Sequence, residues 1–165
     1  MDMASTRTRF LGEQRADLGG EMQSTDSKVI DAFLDAVLHA TIPTCSAWAP
    51  DAVLDATTPG WRFRMNGPAE IRAEYAKWFA DPGEFKEFRR MPLPGGEMVQ
   101  YLLAWTEDGV PHVAQHMHVF EVADGLIHKD TVMCGGRWPA PLIAEMHSSQ
   151  EEHDAKQERS DYAGT

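Results

Sequence analysis

Three turn signals in close order, Pro94-Gly95-Gly96, Asp108-Gly109 and Asp124-Gly125, cut the second half of the chain into four short segments. Residues 84–92, 97–107, 112–122 and 126 to about 137 read as strands, because apolar, β-branched and aromatic residues alternate with polar ones between the turn formers. Tight turns between successive strands demand an antiparallel meander, since a parallel connection needs a crossover of a dozen residues or more. Such a sheet must bury one face, and the first half of the chain supplies the cover.

Ser24-Thr25-Asp26 offers capping oxygens to a helix whose Val29, Ile30, Phe33, Leu34, Val37 and Leu38 follow the helical period until Pro43 stops it. A short helical turn is expected at 44–48, then strands at 52–58 and 61–65 divided by Pro59-Gly60. Asn66-Gly67-Pro68 opens a second long helix, with proline at the first helical position and Glu70 in the first turn, where the helix dipole favours an anion. Ile71, Tyr75, Trp78 and Phe79 give that helix an aromatic inward face, and Asp81-Pro82-Gly83 ends it. Helices segregated from an antiparallel sheet make the class α+β.

A length of 165 residues fits one domain, placed at 24–146 between a polar segment 1–23 and an acidic tail 147–165, both expected to be flexible. The net charge of −11 argues against nucleic acid and anionic membrane surfaces, which call for clustered Lys and Arg. The chain lacks a membrane-length apolar run and an apolar signal-peptide core, so a cytoplasmic protein is expected. Cys45 and Cys134 form no CxxC pattern and suggest neither a disulfide framework nor a thiolate zinc site, which suits a reducing compartment.

The chemistry concentrates between Val113 and Arg137. Ala114, His116, His118 and Phe120 share one strand face by parity. With a three-residue loop, Val122 pairs with Leu126, which sets His118 directly across from Asp130 and His116 across from Val132. Two imidazoles and a carboxylate then meet in a candidate proton-transfer site; alternatively, His118 and Asp130 satisfy each other structurally. His116-Met117-His118 also matches an HxH metal pair with His128 or Asp130 as third ligand. Glu121 on the opposite face counts against a fuller metal set, and no metal is assigned. Cys134 shares parity with Asp130, and a carboxylate beside a thiol disfavours the thiolate nucleophile. Arg137 reads as a salt-bridge partner or, less simply, as a clamp for a carboxylate. Tyr75 is placed to donate a hydrogen bond to a substrate oxygen, or is core with its hydroxyl at the rim. Trp48, Trp61, Trp78 and Phe79 read either as core or as an aromatic wall for a flat ligand.

Trp48-Ala49-Pro50-Asp51-Ala52-Val53-Leu54-Asp55, Gly67-Pro68-Ala69-Glu70-Ile71, and Val119-Phe120-Glu121-Val122 followed by Asp124-Gly125-Leu126-Ile127 carry a family resemblance over roughly residues 25–138. On these motifs the chain resembles the nuclear transport factor 2-like proteins, in particular the SnoaL-like branch with its polyketide cyclase and ketosteroid isomerase relatives. The resemblance implies a cone: a curved antiparallel or mixed sheet wrapped around two long helices and one short one. It also implies a homodimer through the outer sheet face, which suits the apolar Val113, Met117 and Val119. It further implies a cofactor-independent acid–base enzyme, an isomerase, cyclase or dehydratase (a lyase), acting on a small apolar carbonyl- or hydroxyl-bearing molecule. His118 and Asp130 would be the proton-transferring pair, assisted by Tyr75 or Asp55, the latter at a place where relatives carry cavity-lining groups. Trp48, Trp61, Trp78, Phe79, His116 and Cys134 would line the substrate. No Arg-x-Asp occurs in an assigned strand, so the epoxide hydrolase subtype is disfavoured. The same fold hosts non-catalytic ligand-binding and dimerisation modules, which is the rival reading.

Overall fold

The computed structural model describes residues 24–163. In chain order these form helix α1 (Ser24–His39), a 3-10 turn (Ile42–Thr44), strands β1 (Trp48–Thr58) and β2 (Trp61–Asn66), helix α2 (Pro68–Trp78), strands β3 (Gly83–Leu93), β4 (Gly96–Glu107), β5 (Val110–Ala123) and β6 (Leu126–Pro139), and helix α3 (Ala140–Ala163). One six-stranded sheet runs in the order β2-β1-β6-β5-β4-β3. Neighbours are antiparallel except β1 and β6, which run parallel, so the α+β sheet is mixed. The meander expected of the second half is present. Bulges between β1 and β6, β3 and β4, and β5 and β6 bend the strands, and the curved sheet holds α1 and α2 in its concavity.

Local chemistry sets the helix ends. Ala40 adopts a left-handed φ of 55°, and the Thr41 N–H reaches back to the Ala36 carbonyl at 2.9 Å, closing α1 before Pro43 is reached. Pro68 opens α2, and Glu70 accepts the Asn66 N–H at 2.9 Å. The helical turn expected at 44–48 is shorter and starts two residues earlier, at Ile42–Thr44. Trp48 already belongs to β1 because β6 recruits it: Trp48 pairs with Ile127, whose N–H donates to the Ala47 carbonyl at 2.8 Å. The segment from residue 147, expected as a flexible tail, continues α3, a largely exposed and polar helix. The expectation for 1–23 lies outside the described residues. No helix among the described residues is long and apolar enough to cross a membrane.

The core lies between the concave sheet face and the two covering helices. Ile30, Phe33 and Val37 of α1, Ile71 and Tyr75 of α2 and Phe79 beyond it meet Leu54, Val99, Tyr101, Leu103, Phe120 and Val132 of the sheet, all buried. Each large apolar side chain removed from water contributes about 1.5–3 kcal/mol. At the sheet edge Arg90 of β3 ties α1 down, donating to Asp31 of α1 at 2.5 Å and to Glu97 of β4. The convex face carries Met98, Met117, Val119 and Met133.

Candidate functional site

The β5–β6 turn is one residue shorter than expected. Ala123 pairs with Leu126, and Asp124 (φ 52°) and Gly125 (φ 71°) take the left-handed conformations of a two-residue hairpin turn. That register alone would set His118 opposite Thr131 and turn Asp130 out of the cone. A bulge corrects it: Val122 pairs with Ile127 but Glu121 with Lys129, so His128 is the extra residue and the pairs from there to His116–Cys134 shift by one. His118 consequently pairs with Val132, His116 with Cys134, and Phe120 rather than His118 stands opposite Asp130. His118 and Asp130 are thus diagonal neighbours on the concave face. Their side chains still meet, with His118 Nδ1 at 3.0 and 3.1 Å from the two carboxyl oxygens.

The pair is the centre of a four-residue chain. The Tyr75 hydroxyl donates to Asp130 Oδ2 at 2.5 Å, and Tyr101 Oη lies 2.9 Å from His118 Nε2. Burial first, and the Asp130 carboxyl next, push the pKa values of both tyrosines well above the usual phenolic range. Both hydroxyls therefore remain protonated donors at neutral pH. One proton assignment satisfies every group: Tyr101 donates to Nε2, the neutral ring carries its proton on Nδ1, and Nδ1–H and Tyr75 donate to Asp130. Tyr75, His118 and Asp130 expose no surface and Tyr101 only 1 %. Phe33 and Phe120 pack on His118 with ring centroids 5.4 and 5.1 Å away, so the chain sits in an aromatic interior.

Two further polar atoms lie in the same interior without partners among the described residues, Trp48 Nε1 and His116 Nδ1. A buried polar group left unpaired costs about 1–3 kcal/mol, so such atoms mark places where the interior is built for something besides packing. The His116 ring lies 6.0 Å from that of His118 and 5.3 Å from that of Tyr101, stacked at 5.8 Å on the half-buried Trp78 and edged by Phe79. Burial, with His118 adding to it, lowers its pKa to about 3. Its Nε2 faces Cys134 Sγ at 3.2 Å, and the Gly136 N–H also points to that sulfur at 3.4 Å. Burial pushes the Cys134 thiol up, in keeping with a thiol rather than a nucleophilic thiolate.

Of the expected site residues the fold gathers His118, Asp130, Tyr75, His116, Cys134, Trp48, Trp78 and Phe79 inside the cone. Two are elsewhere. Asp55 pairs with Arg64 of β2 and Thr131 of β6, the opposite parity to Asp130, and so belongs to the convex face. There Arg62 donates to it at 3.1 and 2.9 Å and Arg64 at 3.2 and 3.0 Å, covering the carboxylate until only 5 % of the residue is exposed. The Arg62 hydrogen bond, seconded by Arg64, holds its pKa below the usual carboxylate value. Trp61 stands at the tip of the β1–β2 hairpin, 70 % exposed and beyond the reach of the interior. His128, the notional third metal ligand, lies by Asp51 at 3.4 Å, and Arg137 is paired with Glu107. Tyr101 is the residue sequence reading missed. The Asp108-Gly109 turn pairs Glu107 with Val110 and so fixes Tyr101 opposite His116, one diagonal from His118. A cleft of about 520 Å³ between α1, the 3-10 turn and the β5–β6 turn, lined by Lys28, Ala32, Thr44, Cys45 and Gly125 among others, shares none of these interior residues.

No family model matches the chain, and no curated protein matches it. Solved structures do. A protein of Bacillus subtilis assigned provisionally as an isomerase aligns with a TM-score of 0.57 at 16% identity, over 67% of this chain and 86% of that one. A Mycobacterium tuberculosis epoxide hydrolase of the LEH-like type gives 0.55 at 19%, over 69% and 85%. An NTF2-like protein of unknown function from Mesorhizobium loti gives 0.58 at 14%, over 72% and 98%. Identities this low speak to architecture, and the architecture agrees with the mixed curved sheet and its covering helices: the chain has the nuclear transport factor 2-like fold.

Proposed function

We propose that the protein is a cofactor-independent acid–base enzyme of the isomerase, cyclase or dehydratase type, acting on a small apolar molecule with a carbonyl or hydroxyl group. The observation that carries this reading is the unbroken Tyr75–Asp130–His118–Tyr101 hydrogen-bonded chain in a largely aromatic interior. A core gains little from four polar groups that apolar residues of the same volume would replace without loss, so their retention points to use. His118 is the base of this reading: Asp130 fixes the ring at Nδ1, and Nε2 takes up the proton of the Tyr101 hydroxyl as that phenol receives one from the substrate. A positioned base of this kind contributes typically 10²–10⁴-fold in rate.

The full enclosure of the chain favours a second reading, a binding module without turnover, because a substrate reaches His118 only when the surrounding side chains move apart. One experiment separates the two. A panel of steroid-like, polyketide and terpenoid carbonyl compounds and alcohols is screened for thermal shift and then for turnover. Turnover that disappears in His118→Ala and Asp130→Asn supports the enzyme; a thermal shift without turnover in the wild type supports the module. Retained activity in either variant rejects the assignment.

A second copy of the chain is the proposed occupant of the convex face, where the exposed Met133 stands opposite Met117 and Val119 follows. The family resemblance supports this, as does the apolar character of the face. Met117→Asp is expected to give monomers; an unchanged sedimentation profile counts against it.

A further inference from the structure

His116 is set apart from the four-residue chain by the atom it leaves unused. The ring is 3 % exposed and its Nδ1 has no partner among the described residues, while Nε2 faces the Cys134 sulfur. Only one arrangement gives the thiol hydrogen an acceptor among the contacts present: Cys134 S–H donates to Nε2, and the ring proton resides on Nδ1. In the other tautomer Nε2–H points at the sulfur, and the thiol hydrogen is left with nothing to bond. The thiol remains protonated because burial raises its pKa, and the imidazole remains uncharged because burial beside His118 holds its pKa near 3.

We propose that the Nδ1–H of His116 is the hydrogen-bond donor to the oxygen of an uncharged carbonyl ligand, and that Cys134 is the positioning residue that holds the ring in this tautomer. The choice of ligand class rests on the acid–base reading of the adjacent His118–Asp130 pair. A neutral ring donates to a ketone oxygen without a counter-ion, whereas a carboxylate would bury a second acidic group beside Asp130 with no cation hydrogen-bonded to it there. Trp78, stacked on the ring at an interplanar angle of 22°, and Phe79 at its edge supply the flat apolar surface that the body of such a ligand needs. His116 and His118 lie on one strand face, two residues apart. A carbonyl held by the first therefore brings its neighbouring carbon toward the base on the second.

The test begins without ligand. Nitrogen-15 histidine correlation spectra of the full chain read the tautomer of each ring, with His116 assigned by the signal lost in His116→Asn. A single Nδ1–H form is expected for His116 near neutral pH, with the Nε2–H form appearing in Cys134→Ala and disappearing again in Cys134→Ser. A wild-type His116 that is chiefly Nε2–H overturns the proposal, as does a tautomer that ignores Cys134→Ala. The second arm compares α-tetralone with tetralin, the same bicycle without the oxygen. The wild type is expected to bind the ketone at least about ten-fold more tightly, and His116→Leu to bind the two alike. Equal or undetectable binding of both by the wild type, or a preference that survives in His116→Leu, overturns it. Should His116→Leu fail to fold, the tautomer spectra and the wild-type comparison decide. Failure here is distinct from failure of the acid–base reading: turnover that survives His118→Ala removes that reading and leaves the donor standing. Loss of turnover there without a ketone preference removes the donor alone.

Discussion

Asp55 and Asp130 occupy adjacent strands one residue out of step, since it is Leu54 that pairs with Asp130, and that single step sends them to opposite faces of the sheet. Both are nearly withdrawn from solvent, at 5 % and 0 % exposure. They are answered by opposite kinds of partner. Asp55 is gripped by two guanidinium groups that are permanently charged, so its carboxylate is fixed as an anion and has no proton to exchange. Asp130 is answered by a phenol and an imidazole, groups that hold transferable protons. Burial of a carboxylate therefore says little about its role. The titration behaviour of what surrounds it separates an ion pair that fastens a hairpin from a network able to move protons.

The contrast is broken most directly at Asp130. Asp130→Asn keeps the volume but places an amide donor among the Tyr75 and His118 donors, so turnover is expected to fall by about 10²–10⁴-fold and stability by about 1–3 kcal/mol in denaturant unfolding. A variant with wild-type turnover would put Asp130 in the same structural class as Asp55. Acid titration comes next. His116 has its folded pKa lowered to about 3, so the unfolded chain takes up a proton first, beginning near the ordinary value of 6.5. Stability should rise with pH across that window and be lost as pH falls from 6.5 toward 3, by about 1.4 kcal/mol per unit. His116→Asn should flatten that part of the profile, and an unchanged slope would show that the ring is not held neutral. Tyr75→Phe removes one buried hydroxyl from the carboxyl and is expected to cost about 1.5–3 kcal/mol, a value checked by the same unfolding measurement. A neutral result would mean that Asp130 finds another donor.

Much of this arrangement was legible in the residues. The turn dipeptides fixed the meander, and the 3.6-residue period fixed both covering helices. Strand parity brought His116, His118, Asp130 and Cys134 to one face even though the pairing was off by two residues, because the two-residue turn and the His128 bulge each shift the register by one in the same direction and together restore the parity. A bulge has no reliable residue signature, so the diagonal contact could not be read. Tyr101 was readable and passed over: Asp108-Gly109 is a two-residue turn signal that sets it opposite His116. Asp55 failed for a different reason. Its family-implied place in the cavity ignored Arg62 and Arg64, which stand two residues apart on the next strand and share its face by the same period-two rule. The enclosure of the interior depends on how Phe33, Phe79 and Phe120 pack across three elements, and no local pattern reports that.

The smallest expected effect belongs to Asp55, and its shape with pH is more informative than its size. Arg62 and Arg64 hold the folded-state pKa of Asp55 below its unfolded value, so its contribution to stability is fully present above about pH 4 and is lost as pH falls through the folded pKa. Asp55→Asn should therefore lower the melting temperature by a constant amount at neutral pH, with the gap to wild type closing only in strong acid. Both arginines are about two-thirds exposed at the side chain, so salt should narrow the gap as well. Turnover should be untouched, since the carboxylate looks away from the interior. A loss of turnover in Asp55→Asn, with the fold intact by near-ultraviolet circular dichroism, would show that the convex face communicates with the His118 chain through β1 and β6. The two aspartates would then have to be treated as one coupled system rather than as two answers to burial.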